Sequence, residues 1–292
     1  MILVVGATGL LGSEICLRLR QAGRPVRALV REGSDPGKLQ ALAEAGVAAV
    51  TADLKDPASL GEACRGAAAV ITTASSTLSR RAGDSIESVD RVGHLSLIEA
   101  ARQAGVRRFV YTSIPPGLRY ECPLIRAKRE VEMALAASGL EYTVLLANYF
   151  MEVWLSPALG FDYPNGRATI YGSGERPLAW VSYLDVAGFA LDALESESAR
   201  NTALLVGGPE NLTPNEVVRI FEAAAGRTFE LTHVPEPALE SQYAGASDPL
   251  QKSFAALMLE CARGSPMDMS ETLRLLPRTL TSVRDYALRS VA

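Results

Sequence analysis

The chain has 292 residues, 48% hydrophobic and 21% charged, with 24 glycines and 16 prolines; this excludes disorder and collagen-like repetition and suits one large α/β domain with an appendage, or two modest domains. Its 29 lysines and arginines against 33 aspartates and glutamates leave a formal charge of −4, so no global field draws in nucleic acid or anionic lipid and any anion site must be local. Four scattered cysteines without a CxxC pair, Cys16, Cys64, Cys122 and Cys261, point to a reduced, cytoplasmic setting; no apolar run approaches the ~20 residues of a membrane span, and Ile2 to Val5, with no basic flank, does not read as an export signal.

Short apolar runs alternating with helical patterns predict strands at Ile2–Val5, Val26–Val30, Ala48–Thr51, Ala69–Thr72 and residues 108–112, the pattern of βαβ units feeding a parallel sheet. The first helix is expected to open at Gly12 and Ser13, to bury Ile15, Leu17 and Leu19 in part, and to stop at Gly23 before Pro25, with similar stops at Gly46 and Gly105. Residues 124–138 read as a helix, 142–146 as a sixth strand, 186–194 as a helix and Thr202–Val206 as a seventh strand. The fold class is therefore α/β, a Rossmann-type doubly wound parallel sheet. Residues 1–150, continued by 186–207, form the dinucleotide-binding domain; residues 151–185 and 208–292 are assigned to a smaller C-terminal substrate lobe.

The first strand runs straight into Gly6-Ala7-Thr8-Gly9-Leu10-Leu11-Gly12. Glycines at a strand-to-helix turn serve three ends: Gly6 the tight turn, Gly9 the approach of backbone amides to a pyrophosphate, and Gly12 close helix–strand packing. A bound dinucleotide is expected, with Thr8, Leu10 and Leu11 completing the turn. The GxxGxxG spacing resembles that of the short-chain dehydrogenase/reductase superfamily. About twenty residues on, where an acidic residue would select NAD, stands Arg31; a guanidinium suits a 2′-phosphate, so NADP(H) is preferred over NAD(H), unless Glu32 turns inward. Lys38 is a second cation for the same phosphate or a solvated surface lysine. Asp53-Leu54 is placed to flank an adenine, although Asp53 also suits a turn before Asp56-Pro57.

The reactive end of a dinucleotide lies over the carboxyl ends of strands beyond the switch point. Here these carry Thr73, Ala74, Ser75 and Ser113, whose hydroxyls either bond ribose and substrate or satisfy strand-end backbone groups. In the helix after them, Lys128 shares a face with Leu124, Val131 and Leu135; a lysine on an apolar stripe either snorkels to solvent or meets ligand hydroxyls.

The stretches GATGLLG, VREGSDPGKLQAL, ADLKDPASL, FVYTSI, RAKREVE and NYFME resemble the atypical short-chain reductases, including the NmrA-like and isoflavone-reductase-like families. The match covers much of residues 1–152 and, more loosely, 170–174 and 180–187. The resemblance implies that Lys128 contacts the nicotinamide ribose and relays a proton, and that Asn148, Tyr149 and Phe150 edge the substrate pocket. Leu124 stands where the standard enzymes carry the tyrosine of YxxxK, and a leucine cannot exchange a proton; Tyr120 and Tyr149 are the nearest substitutes. Aromatic residues after a strand also belong to cores, so Tyr149, Phe150, Trp154 and Trp180 have that second reading. Ser182 and Asp185 have the spacing of a helix-capping pair. His94 and His233 lack a second ligand at metal spacing, so no metal site is expected.

These readings predict an NADP(H)-dependent oxidoreductase that passes hydride to a small apolar or aromatic acceptor of quinone or enone type. Two alternatives remain: a non-catalytic NAD(P)-binding redox sensor of the NmrA type acting on a protein partner, and an assembly protein that keeps nucleotide for stability.

Overall fold

Seven strands make the main sheet of the computed structural model, which describes residues 1–79 and 81–291. Six are β1 (Ile2–Val5), β2 (Val26–Val30), β3 (Ala48–Thr51), β4 (Ala69–Thr72), β5 (Arg108–Ser113) and β6 (Glu141–Ala147), and the seventh is Thr202–Val206. Across the sheet they run Thr202–Val206, β6, β5, β4, β1, β2, β3. The sheet is parallel, with β1 in register between β2 and β4. The order reverses at β1, and the crevice outside the carboxyl ends of β1 and β4 is the place where such sheets bind ligands. Every residue of β1 and β4 is buried, as strands covered on both faces require.

Helices α1 (Leu10–Gln21), α2 (Pro36–Glu44) and α3 (Pro57–Cys64) connect the first four strands. α1 begins two residues earlier than the sequence suggests, because Gly9 and not Gly12 takes the N-cap position; Leu17 faces solvent while Ile15 and Leu19 are buried. Gly23, Gly46 and Gly105 have φ of 70°, 75° and 72°, the left-handed geometry that ends a helix. Between β4 and β5 the chain forms a π-helical segment, Ile86–Gly93, which continues as α4 (His94–Gln103); α5 (Pro123–Ala137) joins β5 to β6. Buried Arg108 at the start of β5 donates to the carbonyls of Ala193 and Ser196 at the end of helix Tyr183–Glu195, where a cation complements the helix dipole.

The chain divides into two compact units. The first comprises Met1–Ser113, Pro123–Leu145 and Ala187–Leu204, and the second Ile114–Cys122, Leu146–Val186 and Leu205–Ala292. Residues 114–122 and 146–150 thus belong to the second unit, a division that sequence periodicity does not mark. Within the second unit, Leu178–Val181 pairs parallel with Tyr149–Phe150 and antiparallel with Asn211–Leu212. Arg167–Tyr171 pairs with Phe161–Asp162 and Glu230–Val234. Its core gathers Tyr149, Met151, Phe161, Trp180 and Phe221. The Ser182 hydroxyl accepts the Leu184 amide at 3.2 Å, as a helix N-cap does, and donates to Glu152, which also accepts the Tyr183 amide; Asp185 accepts the Thr281 amide at 2.8 Å.

Candidate functional site

Gly6 follows β1 with φ of +84°, and a side chain there would meet Thr73 Oγ1 at 2.7 Å and the Ala74 amide at 2.9 Å. A Cβ on Gly12 would stand 2.2 Å from the Gly6 carbonyl oxygen, so the turn and α1 approach each other as only glycine allows. The Gly9 amide donates back to Gly6 O, and the first helical hydrogen bond runs from Ser13 to Gly9. The amides of Leu10, Leu11 and Gly12 therefore precede the ladder. No side chain caps this end, and its first turn carries no acidic residue. Free amides at the positive end of a helix dipole fit a diphosphate.

Toward the ends of β2 and β3 two cations meet on one carboxylate. Asp84, 3% exposed, accepts Arg31 Nη1 and Lys55 Nζ at 2.6 Å each, and the Ser79 hydroxyl besides. Burial opposes its ionisation, but hydrogen bonds from Lys55, Ser79 and Arg31 outweigh it and hold the carboxyl at about 2. The Arg31 side chain stays half-exposed. Lys38 reaches back to donate to the Thr8 carbonyl at 3.0 Å, across the glycine turn. The Glu32 residue is exposed, and its carbonyl accepts Arg81. Asp53 accepts the Lys55 amide at 2.9 Å, the geometry of a turn, and Leu54 beside it is buried.

At the next strand ends, Thr73 donates its amide to Val5 O at 3.0 Å, so Thr73 and Ala74 border Gly6, and the Ser75 hydroxyl lies 3.2 Å from that of Thr77. Ser113 donates to Glu132, which also holds Arg129. Lys128 is buried in α5 with Leu124, Val131 and Leu135. Its ammonium donates to Thr112 O at 3.1 Å, lies 4.8 Å from the Tyr111 ring centroid and stands 4.0 Å from Asp90 Oδ1. Burial lowers the Lys128 pKa, against the opposing pull of Asp90 and Glu132. Asp90 comes from the π-helical segment, is wholly buried, and receives the Ser76 amide and hydroxyl on Oδ2 at 3.0 and 2.5 Å; Oδ1 has no hydrogen-bond partner. His94 bridges Thr72 Oγ1 and Val89 O, and burial, with Lys128 nearby, lowers its pKa to about 4, so it is neutral at pH 7.

In the second unit the expected pocket-edge residues are engaged in its own scaffold. Asn148 donates to Ser265 O at 2.8 Å. The Tyr149 hydroxyl donates to Leu257 O at 3.1 Å, its ring packs against Trp154 and Trp180, and burial raises its pKa well above the ordinary value. Phe150 is half-exposed. Tyr120 is half-buried in edge contact with Tyr243 and beneath the Arg263 guanidinium.

Asp90, Ser76 and Asp84 belong to no motif of the sequence. Asp90 was findable, because it falls on the apolar stripe Ile86, Val89, Gly93, the anomaly that marks Lys128. Asp84 had no such signal, lying in a loop. Among the described residues no cluster of histidine, cysteine, aspartate or glutamate could hold a metal, and no helix is long and apolar enough to cross a membrane.

The sequence pattern of the NmrA-like family matches residues 1–281. The isoflavone reductase homolog IRL of Zea mays is 31% identical over 267 residues, covering 85% of this chain and 82% of that protein. An NAD(P)H azoreductase of Xenophilus azovorans is 30% identical over 269 residues, 92% of this chain and 88% of that protein. Photosystem II assembly factor Ycf39 of Synechocystis is 32% identical over 242 residues, 80% of this chain and 70% of that protein. In structure, the Escherichia coli NADPH-dependent quinone oxidoreductase QOR2 complexed with NADPH superposes with a TM-score of 0.79 at 24% identity, covering all of both chains. The chain belongs to the NmrA-like family, and its relatives include NAD(P)H-dependent reductases.

Proposed function

We propose that this protein is an NADP(H)-dependent reductase of a small, flat, apolar acceptor of quinone or enone type. The observation that carries the reading is the adjacency of β1, β4 and β5 in the sheet, whose carboxyl ends bear the glycine turn, Thr73 to Ser75, and Ser113 beside Lys128. In this reading the amides of Leu10, Leu11 and Gly12 hold the diphosphate, while Arg31 and Lys38 face the 2′-phosphate. Arg31 spends one guanidinium nitrogen on Asp84, and the rest of the fork suits a phosphate. When bound, reduced nicotinamide supplies a hydride. Lys128 orients the ribose and returns a proton, since Leu124 cannot, and Ser113 fixes the acceptor oxygen. Of Asn148, Tyr149 and Phe150, the substrate residues that the resemblance implies, Phe150 is half-exposed and free to meet a flat acceptor, whereas the Tyr149 hydroxyl is already committed to Leu257.

A redox-sensing or assembly role, acting on a protein partner, is the second reading. Leu124 at the tyrosine position and the likeness to an assembly factor favour it. Following NADPH oxidation against a panel of quinones and enones separates the two. Turnover that falls about 10²–10⁴-fold in Lys128→Ala, the usual worth of a proton-transfer group, supports the reductase. NADPH binding without oxidation by any acceptor overturns it in favour of the second reading.

A further inference from the structure

Lys128 is faced by titratable groups from every element around it: Asp90 from the π-helical segment, His94 from α4, Tyr111 from β5, and Arg129 and Glu132 from α5. His94 is neutral, and Glu132 is already bonded to Ser113 and Arg129. Asp90 is different, because half of its carboxylate is unspent. An amide at that position would accept both Ser76 hydrogen bonds on its single oxygen. A second, buried and unbonded carboxylate oxygen costs several kcal/mol unless a cation answers it. The Lys128 ammonium stands 4.0 Å from it.

We infer that Asp90 is the positioning residue of this centre, the counter-ion that fixes the Lys128 ammonium at the carboxyl end of β5 and keeps it charged. Through Ser76 the same carboxylate ties the loop after β4 to the lysine helix, so the two strand ends expected to flank the nicotinamide ribose are set by one side chain. The π-helical winding suits this, since a widened turn re-aims a side chain inward without changing the helices on either side. Lys128 keeps two N–H groups beyond the bond to Thr112, and Asp90 keeps one oxygen. That donor–acceptor pair is satisfied by a single hydroxyl, from water or from a ribose, and this last point rests on the proposed function.

The sequence contains four lysines, Lys38, Lys55, Lys128 and Lys252, so nitrogen NMR of protein carrying ¹⁵Nζ-lysine resolves each titration, with Lys128 assigned from Lys128→Arg. In Asp90→Asn, which preserves an acceptor for Ser76, the Lys128 midpoint is expected to fall by about 1–3 pH units, the effect of losing an opposite charge at this range. Ser76→Ala, which keeps the charge, should leave the midpoint nearly in place. An unchanged midpoint in folded Asp90→Asn overturns the assignment. Should Asp90→Asn fail to fold, thermal melts of Lys128→Met and of the double variant decide: removing both charges should melt higher than removing Lys128 alone, and a double variant that melts no higher contradicts the pairing. Neither measurement uses nucleotide or acceptor, so a failed reductase reading does not alter its outcome.

Discussion

Lys128 and Tyr149 are expected at one site for different reasons, the first as a charge on an apolar stripe and by resemblance, the second as a substitute for the tyrosine that Leu124 replaces, and the structure surrounds them differently. In the first unit, Lys128 is surrounded by unspent capacity: its own two N–H groups, Asp90 Oδ1 and the Tyr111 hydroxyl, which has no partner. In the second unit, the Tyr149 hydroxyl donates a hydrogen bond to the Leu257 carbonyl, and Asn148 donates to that of Ser265. Native interiors satisfy their buried polar groups almost completely. In the proposed reading the unsatisfied groups around Lys128 are where a ligand hydroxyl would be received, whereas the Tyr149 hydroxyl already has its partner in Leu257. Burial alone does not distinguish them.

The contrast is broken most forcefully at the glycine turn. Gly12→Ala places a methyl 2.2 Å from the Gly6 carbonyl oxygen, so α1 must move off the turn; overpacking of this kind costs about 1–3 kcal/mol, and NADPH affinity should fall by about two orders of magnitude by calorimetric titration. Arg31→Glu removes one charge-assisted contact, worth about 1.5–3 kcal/mol, and introduces repulsion beside Asp84. The ratio of NADPH to NADH affinity should drop about 10- to 100-fold, and an unchanged ratio removes Arg31 from the phosphate site. Smallest is Tyr149→Phe, which deletes one neutral hydrogen bond and should cost about 1 kcal/mol in denaturant unfolding with turnover retained. A turnover loss as large as that of Lys128→Ala would return Tyr149 to the chemistry and erase the distinction between the two regions.

Much of the first unit is legible because local rules and tertiary demands agree there. Strands β1 to β4 fall where apolar runs place them; β1 and β4 are buried throughout, whereas β3, at the sheet edge, is exposed along most of its length and is marked only by its apolar residues. The glycine turn and Lys128 are legible for a related reason: each violates a local preference, positive φ in one case and a charge on an apolar stripe in the other. Asp90 obeys the same logic, a charge on the stripe of Ile86, Val89 and Gly93. Arg31 was legible by position, but its tie to Asp84, 53 residues away in a loop, was not, because no periodicity registers a loop carboxylate. The second unit is harder to read. Its strands of two to five residues pair through long-range partners, and residues 114–122 join it from within a βαβ crossover.

Backbone amides carry the central claim, so they are the direct place to test it. In a ¹⁵N-labelled sample titrated with NADPH, the amide resonances of Leu10, Leu11 and Gly12 should shift most and saturate at one equivalent, and in Gly12→Ala those of Leu10 and Leu11 should need about 100-fold more NADPH to shift. If those three resonances stay still while NADPH binds elsewhere, or if saturating NADPH perturbs no amide at all, the turn does not grip a diphosphate and the account fails.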